Sequence, residues 1–153
     1  MRGCLVNAKC KMQNEKATLM KQTVLRYIEQ KTGYHDDGPA WIGYVLPSKS
    51  GRTLYFNDRA FRAENGGAGN YYDVETGEQF WVTGVKRSEP NRHPAARAKI
   101  PVQIDRRALE EFRALTGMDR LDPNEFRVAD LEDRFPIERI RELENRKTKE
   151  EST

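Results

Sequence analysis

WIGYVLPSKSGRTLYFNDRAFRAENGGAGNYYDVETGEQFWVTGVK, residues 41–86, is the stretch whose reading decides the fold of this chain. Its apolar residues alternate with polar ones, the period of a strand with one buried face. Trp41–Leu46 reads as a strand stopped by Pro47, followed by a turn at Lys49-Ser50-Gly51. Thr53–Phe56 and Arg59–Arg62 read as a hairpin around Asn57-Asp58, two residue types that tolerate the positive φ of a tight two-residue turn. After the glycine-rich loop Glu64–Gly69, Asn70–Val74 and Gln79–Lys86 form two more strands, joined through Glu75-Thr76-Gly77. Connections this short join antiparallel neighbours, so the expected product is a meander.

Working outward, Met20, Val24, Tyr27 and Ile28 fall on one helical face, so a helix is expected from Glu15 to Thr32, capped by Asn14 and ended by Gly33. Downstream, Lys99–Ile104 reads as a short edge strand, because Pro101 cannot donate to a ladder. Asp105 is placed to cap a helix reaching Thr116, with Ala108, Leu109, Phe112 and Leu115 as its apolar stripe and Gly117 as its stop. Asp119–Arg134 reads as irregular or a short helical turn, and Pro136 opens a last helix with Ile137, Ile140 and Leu143 inward. The fold class is therefore α+β: an antiparallel β-meander of five to six strands, as a curled sheet or a small partly open barrel. An N-terminal helix and one or two C-terminal helices complete it. Residues 20–146 are expected to form one domain, with 1–19 an extension and 147–153 a frayed tail; Met20 is an alternative to Met1 as the start.

The chain of 153 residues is long enough for one buried core. Nine of its fourteen aromatic residues fall between Trp41 and Trp81, which places that core in the meander. A net charge of +3 is mild, but its distribution is uneven. Lys86–Arg107 carries seven basic residues against Glu89 and Asp105, whereas the chain from Asp105 onward is net acidic. Two cysteines, Cys4 and Cys10, give no disulfide framework, and no apolar run approaches the length of a membrane span; a cytoplasmic location is expected.

Residues 48–93, SKSGRTLYFNDRAFRAENGGAGNYYDVETGEQFWVTGVKRSEPNRH, resemble a group of small bacterial proteins of unestablished function. These share an SKSG-x-TLYFN segment, a glycine loop, an NYYD-x-ETGE-x-(Y/F)W-x-x-G-x-K segment and a closing Arg-His. The resemblance covers about a third of the chain and implies a small β-rich domain followed by a strand and helix. It carries no activity. Asn57-Asp58 stands where the group tends to have Asn-Gly, a substitution that the turn accepts.

Few constellations point to chemistry. Cys4, Cys10, His35 and His93 lack the close pairing that zinc requires, so no metal or cofactor is expected. His35-Asp36-Asp37, before Gly-Pro, reads as a solvated turn rather than a cation site. Gly66-Gly67-Ala68-Gly69 lacks the helix that a phosphate-binding loop opens, and reads as a strand connection. Asn91-Arg92-His93 lies in a basic loop after the last strand of the meander, and His93 is the one candidate general base. Tyr55, Tyr71, Tyr72, Trp81 and Trp41, with nearby Arg and Lys, supply the ingredients of a stacking surface, but a thin sheet needs large side chains inside, so core filling is the expected use. Tyr71 and Tyr72 must face opposite sides.

Three functions are consistent with these residues. The leading one is a non-catalytic binding module contacting nucleic acid through Lys86, Arg87, Arg92, His93, Arg97 and Lys99. The second is a regulatory domain that binds another protein through a sheet edge or the last helix. The third is an enzyme using His93. The last helix is expected to dock on its own sheet rather than form a homodimer.

Overall fold

The computed structural model describes residues 22–32, 38–87, 100–132 and 134–151. Six strands run as an antiparallel meander: β1 (Val24–Lys31), β2 (Ala40–Pro47), β3 (Thr53–Phe56), β4 (Arg59–Ala63), β5 (Tyr71–Asp73) and β6 (Gln79–Thr83). The β3–β4 turn has positive φ at both Asn57 (49°) and Asp58 (66°), the geometry expected of a two-residue hairpin. β1 pairs on one side with β2, from Val24 opposite Val45 to Glu29 opposite Ala40, and on the other with β6, from Tyr27 opposite Thr83 to Lys31 opposite Gln79. First and last strands thus close the sheet into a six-stranded barrel. Closure removes the free edges that a curled sheet would expose.

The N-terminal helix expected over Glu15–Thr32 is not what forms: Val24–Lys31 is β1, and residues 15–21 lie outside the described residues. Both faces of β1 are buried. Ile28 points into the barrel, while Leu25 and Tyr27 point outward beneath a helix. In β1 (VLRYIEQK) Tyr27, Ile28 and Glu29 are buried in succession, so the apolar residues do not alternate cleanly and also satisfy a helical stripe.

The interior is filled by Ile28, Val45, Phe56, Phe61, Phe80 and Val82, with Trp41, Leu54, Tyr71 and Leu131 around them. The Phe61 and Phe80 rings meet at 4.6 Å between centroids. At one mouth Arg59 lies over the Phe80 ring, 5.3 Å from its centroid, and donates to Asp73 at 2.8 Å. Gln30 donates to Glu78 beside it.

Outside the barrel, β2 divides its second edge. Leu46 and Pro47 pair with β3, whereas Trp41 and Ile42 pair in parallel with β7 (Val102–Asp105), on which β8 (Phe126–Ala129) pairs in parallel. Gly43 sits at this split, where a Cβ would lie 2.9 Å from Phe56 Cε1 and 3.2 Å from Leu131 Cδ1. Its missing side chain lets Leu131 seal the seam. Two expectations are corrected here. β7 is flanked by β2 and β8 rather than lying at an edge, since Pro101 falls just before the strand and removes no ladder bond. The Asp119–Arg134 stretch contains β8, a short strand that forms because β7 supplies it a partner.

Two helices cover the outside. Asp105 accepts from Arg107 N at 3.0 Å, capping a 3-10 turn (Arg106–Ala108) that leads into α1 (Leu109–Thr116). Gly117, at φ 73°, ends α1 with its N–H on Arg113 O, the left-handed stop that glycine adopts without steric cost. Phe112, Ala108 and Leu109 of this unit pack on Leu25, Tyr27, Ala40 and Ile42. The second helix, α2 (Ile137–Glu151), places Ile140 and Ile137 over Leu46, Tyr55 and Ala60. Arg139 locks it down by bonding Asp58 of the β3–β4 turn (3.1 Å) and both carboxylate oxygens of Glu75 in the β5–β6 turn (3.0 and 2.9 Å). The Glu75 contact foremost raises the guanidinium pKa further above its ordinary value. No helix among the described residues is long and apolar enough to cross a membrane.

Candidate nucleic-acid interface

In a closed barrel, outward side chains are buried only where another element lies over them. Leu25, Tyr27 and Ile42 have α1, and Leu46, Tyr55 and Ala60 have α2. Tyr72, Gln79, Trp81 and Thr83, the outward positions of β5 and β6, join neither of these clusters, although Glu144 of α2 reaches Arg62, the cross-strand partner of Tyr72. Trp81 is accordingly 41% exposed. It stands opposite Glu29 of β1, and Gln79, two residues before it, pairs with Tyr72. Tyr72 and Trp81 are therefore diagonal neighbours on one face. No hydrogen bond is made by the Trp81 indole N–H or the Tyr72 hydroxyl to any of the described residues.

The acidic groups around this face are each engaged. Glu29, 2% exposed, accepts from Tyr27 Oη at 2.5 Å and from Lys31 Nζ at 2.9 Å. Glu64 accepts from Gln79, and Glu78 from Gln30. β6 itself ends at Thr83, short of the expected Lys86; the chain runs on through Val85, which packs with the Leu25 and Tyr27 cluster, to Lys86 and Arg87, both exposed. Two exposed basic residues thus follow β6 in the chain, and the carboxylates nearest Trp81 are bound internally.

The glycine loop between β4 and β5 is spent on structure. A Cβ on Gly69 would lie 2.1 Å from Phe80 O, so the loop hugs β6 as only glycine allows. Asn70 then bridges to Val82, with Nδ2 donating to its carbonyl at 2.7 Å and Oδ1 accepting from its amide at 2.8 Å. This clamp holds β5 and β6 in register under Tyr72 and Trp81.

Neither a family model, a curated protein nor a solved structure matches the chain.

Of the basic residues singled out from sequence, Lys86 and Arg87 are described and exposed, three and four residues beyond the end of β6; Arg92, His93, Arg97 and Lys99 lie outside the described residues, as do Cys4, Cys10 and His35. The aromatics divide. Tyr55 is buried under α2, Tyr71 faces the barrel interior, and Trp41 packs edge-on to Phe56 at 6.2 Å, as core filling requires. Trp81 departs from that expectation. Alternation of Phe80, Trp81 and Val82 does assign it to the outward side, but which outward positions a helix covers is a tertiary matter. On the far side of the barrel, Tyr44 donates to Glu111 of α1 at 2.9 Å. Burial first, and then the Glu111 carboxylate, pushes its phenol up to about 12.

Proposed function

We propose that this protein is a small non-catalytic binding module that contacts nucleic acid through the basic surface beginning at Lys86 and Arg87, and that it belongs with the small bacterial proteins its 48–93 segment resembles. The observation that carries this reading is the exposure of Lys86 and Arg87 just beyond β6, opening a stretch to Arg107 of seven basic residues and two acidic ones. Lysine and arginine that neutralise phosphates release condensed counterions, so affinity falls steeply as salt rises. Titration of labelled DNA and RNA from about 50 to 200 mM salt tests the reading. The expected result is a linear fall of log affinity with log salt, and a slope shallower by about two in the Lys86→Gln/Arg87→Gln double variant. Absent binding, or binding indifferent to salt, sinks it.

A second reading has one observation of its own. β8 pairs only with β7 and leaves its other edge open among the described residues, which suits strand addition by a partner protein. A proline at Val128, pull-down from cell extract and comparison with the parent chain separate this from the first. An enzyme using His93 is tested by His93→Ala in a substrate screen.

A further inference from the structure

We infer that the outward face of β5 and β6 is a stacking platform for the bases of a single strand, on which Trp81 and Tyr72 each receive one base while Lys86 and Arg87 hold the neighbouring phosphates. This rests on the nucleic-acid reading above and narrows it to unpaired strands.

Four observations lead to it. The outward residues Leu25, Tyr27 and Ile42 pack with α1 and Leu46, Tyr55 and Ala60 with α2, whereas Trp81 joins neither cluster and is 41% exposed, with Tyr72 half-buried beside it. Its ring makes no stacking or edge contact with another ring among the described residues. Tyr72 is its diagonal neighbour across the β5–β6 pair, a spacing of about 7–8 Å or somewhat less between Cβ atoms. Paired bases within a duplex rise by only about 3.4 Å and are already stacked on each other, so they offer no free face at this spacing. An extended strand does, and every base has a face that an aromatic ring accepts. Finally, the platform is stiff: the Asn70–Val82 clamp and the Gly69 approach to Phe80 fix both strands beneath it.

The charge pattern agrees with the same occupant. Exposed Lys86 and Arg87 follow β6 in the chain, whereas α1, which packs on Leu25 and Tyr27 of β1, exposes Glu110 and Glu111. A duplex reader presents a basic helix or a two-stranded ribbon to the major groove, and α1 has the wrong sign in its first turn to serve as such a helix.

The test uses the full chain with three probes of about equal length: a labelled oligouridylate, an oligothymidylate and a mixed-sequence duplex. Trp81→Ala is expected to weaken both single strands by about ten-fold or more and to leave the duplex unchanged. Tyr72→Ala should do the same to a smaller degree, and Trp81→Phe should retain most of the affinity. Because Trp81 contributes little to the core, the far-ultraviolet dichroism and melting midpoint of Trp81→Ala should match the parent. A second readout is independent of affinity: single strands should quench tryptophan emission, and the quench should survive Trp41→Phe and vanish in Trp81→Ala. If Trp81→Ala binds single strands as well as the parent does, while Lys86→Gln/Arg87→Gln does not, the platform is refuted and the nucleic-acid reading stands. Tighter binding of duplex than of either single strand also refutes it. If none of the three probes binds, both readings fall together.

Discussion

Replacing Asp73 by alanine removes three contacts from one mouth of the barrel, and their geometry sets the size of the effect. Asp73 is 2% exposed; its Oδ2 accepts from Arg59 Nη1 at 2.8 Å, and its Oδ1 accepts from the backbone amides of Glu75 at 2.8 Å and Thr76 at 3.3 Å. A hydrogen bond to a charged group contributes about 1.5–3 kcal/mol and a neutral turn bond about 0.5–1.5 kcal/mol. Arg59, 34% exposed, retains water, Glu78 at 3.6 Å and the Phe80 ring, and the turn amides are exposed, so the lower part of each range applies. The expected loss is about 2–3 kcal/mol, which moves a urea midpoint down by about 1 M or more. Asp73→Asn keeps the turn acceptor but aims an amide N–H at the guanidinium, and should cost about 1–2 kcal/mol. A double-mutant cycle with Arg59→Met then isolates the pair, with an expected coupling of about 1 kcal/mol. An unchanged urea midpoint for Asp73→Ala, or additive effects of the two substitutions, would show that the mouth of the barrel is not held in this way.

Two further outcomes follow from the packing and the titration of particular groups. Gly43→Ala should destabilise by about 1–3 kcal/mol, because the added methyl meets the buried Phe56 ring at 2.9 Å and Leu131 at 3.2 Å; denaturant melts showing no loss would mean that the seam between β2, β3 and β7 is looser than described. Tyr44 holds its proton up to about 12 in the folded chain against about 10 unfolded, so its contribution is complete below pH 10 and is lost as pH rises through 12. Ultraviolet titration should show a late-ionising tyrosine that is missing in Tyr44→Phe, and that variant should lose less stability between pH 10 and 12 than the parent does.

Legibility from sequence differed from element to element for physical reasons. The Asn57-Asp58 hairpin, the Asp105 cap and the Gly117 stop were readable because each depends on the backbone preferences of one or two residues. β1 was not, because Tyr27, Ile28 and Glu29 are buried in succession and its apolar residues fit a helical stripe equally well. β8 was not either, since Phe126–Ala129 becomes a strand only where β7 lends it a ladder. In the candidate interface, the charge of Lys86 and Arg87 was plain from composition, whereas the exposure of Trp81 was not.

By itself, the order of residues determined the antiparallel meander from Trp41 to Thr83, its turns, the Asp105 cap of the 3-10 turn and the Gly117 stop of α1, all of which are local. Closure through the β1–β6 ladder, the parallel pair at β7 and β8, and the choice of which outward faces the helices cover were decided by the tertiary structure. The reason is that alternation tells a side chain which way to point, but only contacts between segments distant in sequence determine what, if anything, it meets there.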